Sequence, residues 1–206
     1  MSATGAGTGK RERTKQANRA AILLAARDVF VEMGYGAATV RDIIRRTDLA
    51  SGTFYNYFPD KESVFRALLE ETAREATGRA HAARQAGTTT EAFVADGFRV
   101  YFEMLVEDPA TFELVRRNAG TIRAMFDVPA IAAGLAELAT DLRDGVASGL
   151  VPDHDTDLMA AAMFGTAFEV GVRMLEEEPP DVERAATFCA DLFLGGLERL
   201  GRRSAR

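Results

Sequence analysis

Between Ser51 and Phe58 the chain reads Ser-Gly-Thr-Phe-Tyr-Asn-Tyr-Phe. Phe54 and Phe58 are four apart, so on a helix they share one face. The other positions, Gly52, Thr53, Tyr55 and Asn56, are small or hydrogen-bonding, unlike the Lys/Glu coat of an ordinary solvated helix. A short helix held by two phenylalanines and offering Thr, Tyr and Asn outward suits insertion into a DNA major groove, where base edges are read by hydrogen bonds and apolar contact. Just upstream, Thr39-Val40-Arg41-Asp42-Ile43-Ile44 and then Thr47-Asp48-Leu49 read as a second short helix and a tight turn. Thr39 and Asp42 have the spacing of an N-cap and its reciprocal partner, with Asp in place of the usual Glu.

Such a reading head needs a scaffold. A helix from about Thr14 to Met33 repeats Ile22, Ala26 and Phe30 every four residues, and Gly34 is a natural stop. Val40, Ile43 and Ile44 give the second helix its buried edge, and Leu49 plugs the turn. Pro59-Asp60-Lys61-Glu62 opens a further helix to about residue 85, with Pro in the first turn, where it is tolerated.

The chain has 206 residues, 47% of them hydrophobic, enough for one or two domains. Its net charge of −6 is unevenly spread. Residues 1–66 hold 11 Lys/Arg against 7 Asp/Glu, a net of +4, whereas residues 67–206 hold 14 against 24, a net of −10. A polyanion would meet the basic head and avoid the acidic body. Residues 1–13 are expected to form a disordered basic arm, with Lys10, Arg11 and Arg13 leading to Lys15 and Arg19. This run suits either a solvated helix start or phosphate and minor-groove contact. The single cysteine, Cys189, excludes a disulfide framework and a cysteine zinc site, and fits a reducing cytoplasm. No signal peptide and no uninterrupted apolar span is visible, so no membrane role is expected.

From Ile22 to Leu69 the chain resembles the DNA-binding domain of TetR-family (tetracycline-repressor-type) transcriptional regulators. The resemblance rests on Ala25-Ala26, Phe30, Gly34-Tyr35, Thr39-Val40-Arg41-Asp42-Ile43, Gly52-Thr53-Phe54-Tyr55-Asn56-Tyr57-Phe58 and Lys61-Glu62. Many members carry Ser-Lys before the glycine; here the pair is Ala50-Ser51, which replaces a lysine by a neutral donor. The resemblance implies that Thr39 holds a phosphate and that Arg41 reaches a base edge or a phosphate. It places Ser51, Gly52 and Thr53 against the groove floor, and Tyr55 and Asn56 on phosphate, thymine methyl or base edge. Tyr57 is implied to touch the backbone and Lys61 to clamp a phosphate. Tyr57 also suits the core, and Thr39 also suits a cap alone.

After a polar joint at Gly87-Thr88-Thr89-Thr90, with Thr90 as the expected cap, the rest is helical. Expected pieces are Glu91 to Glu107, Phe112 to Asn118, a segment around Ile122, Pro129 to about Ser148, Asp155 or Thr156 to Glu177, and Asp181 to about Arg202. No β-type alternation occurs. The fold class is therefore all-α, with a three-helix helix-turn-helix domain over residues 14–66 and a helical ligand-binding and dimerisation domain over residues 67–206.

The helix from Asp155 or Thr156 to Glu177 is apolar on nearly all sides, so nearly all sides must be covered. Ala161, Gly165, Phe168 and Val172 on it, with Ala186, Cys189, Phe193, Gly196 and Leu197 on the last helix, suggest a self-complementary face of a homodimer. The resemblance agrees; a buried hairpin in a monomer also fits the pattern. The resemblance implies a small-molecule effector in the second domain, and a lipophilic, anionic one is expected. Wall candidates are Phe98, Tyr101, Phe102, Leu105, Phe112 and Val115, followed by Ile122, Met125, Phe126, Met163 and Phe164. Arg116, Arg117, Asn118 and Arg123 lie within this apolar region and could meet an anionic end, or could face water and pair with Glu113 and Asp127. Asp153-His154-Asp155 looks more like a helix cap than a metal site, and His81 is expected to be solvated. Without a nucleophile elbow, phosphate loop or His-rich pair, no catalytic residue, cofactor or metal is expected. The alternative function is a small helical enzyme or carrier using the apolar second domain.

Overall fold

The computed structural model describes residues 5–125 and 128–204, which form helices joined by turns and short loops, without strands. In chain order the helices are α1 (Gly5–Ala37), α2 (Val40–Arg45), α3 (Ser51–Tyr55), α4 (Lys61–Ala86), α5 (Thr90–Glu107), α6 (Pro109–Ala124), α7 (Pro129–Ala147), α8 (Thr156–Met174) and α9 (Val182–Ser204). The all-α expectation holds. The chain divides into two compact units, one ending at Leu69 and the other beginning at Glu70.

In the first unit the four-residue repeat of α1 becomes a core: Ile22, Ala26 and Phe30 are fully buried with Val29. Phe30 meets Phe65 of α4 edge-on with ring centroids 5.0 Å apart, and Tyr35 closes the cluster 4.9 Å from Phe65. Gly34 has φ 75°, a left-handed value that glycine adopts without steric penalty, and it kinks α1 before the last residues. The helix begins earlier than Thr14: it reaches back to Gly5, so residues 5–13 are helical rather than a disordered arm. Elongating an existing helix adds one hydrogen bond per residue, and Lys10-Arg11-Glu12-Arg13 are good helix formers. Residues 1–4 of the expected arm lie outside the described residues.

Two boundaries moved because of caps. Asp60 Oδ1 accepts from Ser63 N at 2.7 Å, and Ser63 Oγ accepts from Asp60 N at 3.4 Å. This reciprocal pair starts α4 at Lys61 and leaves Pro59 outside the helix. Thr89, not Thr90, caps α5 by accepting from Ala92 N at 3.1 Å. Thr90 instead donates to Leu150 O at 2.5 Å.

In the second unit α5 packs against α9, with Phe98 stacked on Phe193 at 5.5 Å. The expected pieces between Phe112 and Ile122 are one continuous helix, α6, opened by Asp108, whose carboxylate accepts from Ala110 N at 3.1 Å. Gly120 sits inside it at a cost of about 1 kcal/mol relative to Ala, too little to break it. Asp155 caps α8 by accepting from Leu158 N at 3.0 Å, and Asp181 caps α9 by accepting from Arg184 N at 2.9 Å.

Candidate nucleic-acid interface

The stretch from Thr39 to Phe58 is held from below and polar above. Phe54 and Phe58 are buried, with ring centroids 6.2 Å apart, and the Arg19 guanidinium lies 5.6 Å from the Phe58 ring. They leave Ser51, Gly52, Tyr55 and Asn56 exposed, with Thr53 and Tyr57 half-buried. Tyr55 is 56% exposed, uncommon for so large an aromatic, while its ring edge rests on Phe54 at 5.4 Å. A Cβ placed on Gly52 would meet nothing within 4 Å, so this side of α3 is open to an approaching surface. Ala50, at the N-cap of α3, supplies no side-chain hydrogen bond.

α2 is fixed by the expected capping box. Asp42 N donates to Thr39 Oγ1 at 3.3 Å, and Thr39 N donates back to Asp42 Oδ2 at 3.0 Å. The Thr39 hydroxyl also donates to Asp42 Oδ2 at 2.5 Å, and this bond holds the Asp42 carboxyl below its ordinary pKa. Both Thr39 groups that would meet a phosphate are thus engaged by Asp42 in the DNA-free chain. Arg41 is exposed. Arg46, after α2, donates from Nη1 to Glu32 Oε1 of α1 at 3.0 Å and makes a second bond to the same carboxylate, a two-point bond that fixes the elements' orientation.

Lys61 departs from its expected role as phosphate clamp. Its ammonium donates to Tyr35 O at 2.8 Å, Ala38 O at 2.9 Å and Gly36 O at 3.3 Å, and stands 4.5 Å from the Tyr35 ring centroid. An ammonium has three donors, so all are taken by the carbonyls that follow the Gly34 kink. Its cation sits where a helix C-terminus favours positive charge. In this structure Lys61 is a positioning residue for the turn that carries Thr39.

Of the wall candidates in the second unit, Phe98, Phe102, Leu105, Val115, Ile122, Met125 and Met163 are buried, and Tyr101, Phe112 and Phe164 are half-buried. Phe126 lies outside the described residues. The arginines do not point a charge inward. Arg116 is exposed and bonds Glu113 at 2.7 Å, and Arg123 is exposed and bonds Glu169 at 2.5 and 2.6 Å while lying over the Phe168 ring. Arg117 is exposed as well. Asn118 alone of the four is buried, and its Nδ2 donates to Leu114 O at 2.9 Å within its own helix.

The expected dimer face needs a larger correction. Phe168, Val172, Ala186, Cys189, Phe193 and Leu197 are buried within the single chain, Cys189 completely. They face α5 and neighbouring helices rather than outward, because α5 covers that side of α9. Burial pushes the Cys189 thiol up to about 11. Ala161 remains exposed, and Gly165 and Gly196 are half-buried with nothing within 4 Å of a Cβ placed on either. The large apolar residues left outside are Leu158 of α8, 70% exposed, with Phe188 and Leu192 of α9, at 58% and 52%. Their four-residue spacing on α9 was visible in the sequence, but an equally apolar face on the same helix competed with it.

A polar cluster also escaped the sequence reading. Asp141 of α7 is buried and accepts from Arg84 Nε at 2.7 Å and Gln85 Nε2 at 3.2 Å, with His81 Nδ1 at 2.8 Å, all on α4. His81 is therefore tied to a buried carboxylate and not simply solvated. His154 Nδ1 lies 2.6 Å from Pro152 O beside the Asp155 cap, and no cluster suited to a metal occurs among the described residues.

The sequence pattern described as "Bacterial regulatory proteins, tetR family" matches residues 22–68, which contain the capping box, α3 and the buried phenylalanines. Over residues 22–68 the chain is of the TetR family. It is 34% identical over 96 residues to the HTH-type transcriptional repressor AcnR of Corynebacterium efficiens, an alignment covering 47% of this chain and 44% of AcnR. The chain thus spans less than half the length of that relative. YhgD, an HTH-type transcriptional regulator of Bacillus subtilis, is 23% identical over 162 residues, covering 77% of this chain and 85% of YhgD. Among solved structures, the fatty acid degradation regulator FadR of Bacillus halodurans superposes with a TM-score of 0.72 at 25% identity, over 87% of this chain and 96% of FadR. FadR of Bacillus subtilis, solved with stearoyl-CoA, has the same fold at a TM-score of 0.70 and 23% identity, covering 84% of this chain and 95% of its own. The family pattern is confined to residues 22–68, and the similarity to FadR extends the fold well beyond them. No described helix is long and apolar enough to cross a membrane.

Proposed function

We propose that this TetR-family chain is a cytoplasmic, ligand-responsive repressor that binds a palindromic operator as a homodimer and leaves it when a small lipophilic effector binds. The observation that carries the reading is α3: an apolar pair holds it while Ser51, Gly52, Tyr55 and Asn56 face outward. In this reading Tyr55, Asn56 and Thr53 meet base edges or a thymine methyl, and Ser51 and Gly52 lie against the groove floor. Arg41, Tyr57 and Thr39 contact the backbone, Thr39 by exchanging Asp42 for a phosphate. The net charge of +4 over residues 1–66 supports attraction to a polyanion. Two copies meet through Leu158, Ala161, Phe188 and Leu192, apolar residues that a single chain leaves exposed.

A lipophilic effector is supported by the aromatic and Met residues of α5, α6 and α8, and by the similarity to a fatty acid degradation regulator. A long-chain acid or acyl thioester is the class proposed. A thermal-shift screen of acyl compounds against aromatic cations separates that class from drug-like effectors.

Genomic fragments selected on the protein supply the operator for the main test, fluorescence anisotropy against salt. Binding falls as salt rises, and Tyr55→Ala weakens it by about 1–3 kcal/mol, roughly tenfold or more, with an unchanged melting temperature. Wild-type affinity in that variant would remove α3 from the role of recognition helix.

A further inference from the structure

The positive charge of the first unit is concentrated at one end of it. Residues 1–19 hold five Lys/Arg and one Glu, whereas residues 20–66 hold six Lys/Arg and six Asp/Glu. The whole net charge of +4 therefore lies before Ala20. Several later cations are engaged within the protein: Lys61 by carbonyls, Arg46 by Glu32 and Arg66 by Glu62.

α1 gives this charge a direction. Residues 11–17 are all exposed, and the buried positions of the helix begin only at Ile22. Arg11, Lys15 and Arg19 follow one another at four-residue intervals, so they turn through only about 80° and form one ridge. Ile22 stands about three turns beyond Arg11, so the ridge prolongs the side of α1 that becomes core. Arg13 lies about 200° round from Arg11, on the opposite side. Glu12, at the edge of the ridge, offsets one of its charges.

The ridge begins beside the reading head. The half-buried Arg19 guanidinium lies 5.6 Å from the ring of Phe58, one of the two phenylalanines that hold α3. From there to Arg11 the helix runs about 12 Å, the length of about three to four base pairs. A helix holds such cations in a fixed row, whereas a disordered arm would pay the entropy of ordering when it bound.

We propose that Arg11 and Lys15 hold DNA phosphates outside the segment read by α3, so that the start of α1 lengthens the footprint on the operator. The inference rests on the reading of α3 as the recognition helix and adds a second contact region to it. Charge complementarity selects the sugar–phosphate backbone as the occupant of this exposed ridge. Contacts of this kind add affinity and fix register without reading sequence.

Fluorescence anisotropy of the full chain on operator fragments, repeated against salt, tests it with Arg11→Ala/Lys15→Ala beside Arg13→Ala. Both variants change only exposed side chains, so their melting temperatures should match the wild type. The double variant flattens the slope of log K against log salt by about two per bound chain. It also shortens the hydroxyl-radical footprint at its edge and leaves the ranking of operator base substitutions unchanged. Arg13→Ala keeps the wild-type slope. An unchanged slope in the double variant overturns the proposal while leaving the α3 reading standing. A loss of about one ion in Arg13→Ala overturns the ridge in favour of an arm without a fixed face. A changed ranking of base substitutions overturns the assignment to phosphates. Absence of salt-dependent operator binding in the wild type overturns both this proposal and the α3 reading.

Discussion

The first unit and the second use charge in opposite ways. In the first, the ion pairs Arg46–Glu32 and Arg66–Glu62 lie toward the surface, apolar side chains are gathered beneath α2 and α3, and the exposed side of α3 is polar. In the second, the Arg84–Asp141 pair is buried, while Leu158, Phe188 and Leu192 stand in solvent on the neighbouring helices α8 and α9. Leu24 of α1 is also exposed, but a single surface leucine is ordinary. A polar face over a buried aromatic anchor is suited to a hydrated, charged partner. An apolar face above a helix already well packed on its other side is suited to another protein surface. The difference separates the proposed DNA-binding face from the proposed dimer face more clearly than overall composition does.

The largest effect expected is at the buried pair. Asp141→Ala leaves Arg84 buried without its carboxylate and should cost about 3–5 kcal/mol in denaturant unfolding. A loss under 1 kcal/mol would mean that solvent reaches this pair and that the contrast in burial is weaker than drawn. Next comes the apolar face. Leu192→Glu should shift the proposed homodimer toward monomer in sedimentation equilibrium, with about 1.5–3 kcal/mol lost for each copy of the side chain that the partner would cover. A monomeric wild type at micromolar concentration would break the comparison at once.

Lys61 sharpens it from the other side. Lys61→Met should destabilise the first unit by about 1–2 kcal/mol, because the carbonyls after Gly34 lose a charged donor. The salt dependence of operator binding should stay as in the wild type, since the ammonium is engaged within the protein. A slope reduced by about one ion would restore Lys61 as a phosphate contact.

The smallest effect concerns Cys189. Its burial should keep the thiol unreactive toward an aromatic disulfide reagent until the chain unfolds. Its native pKa of about 11 exceeds the ordinary 9.0, so the neutral thiol is favoured by folding. That contribution is fully present below pH 9 and declines as pH rises toward 11, as the unfolded chain ionises first. Fast labelling of the native protein at neutral pH would place α9 further from α5.

Much of the candidate site was legible because it is local. The Thr39–Asp42 box spans three residues, and Phe54 and Phe58 lie one helical turn apart, so spacing alone defines both. The partners of Lys61 were not legible: Tyr35 lies 26 residues away, and only the kink at Gly34 brings its carbonyl within 2.8 Å. The same holds for His81, whose partner Asp141 is 60 residues distant.

The sequence by itself determined that the chain is helical, that α3 carries a polar face over two phenylalanines, and that α8 is apolar on nearly all sides. Those are properties of residue type and of a 3.6-residue period, which each segment has on its own. Only the tertiary structure decided which side is covered. α5 packs against α9, with Phe98 on Phe193 and Cys189 and Leu197 buried on that side, leaving Phe188 and Leu192 outside. Periodicity defines the faces of a helix but not its neighbour; the neighbour is chosen by packing between segments about ninety residues apart.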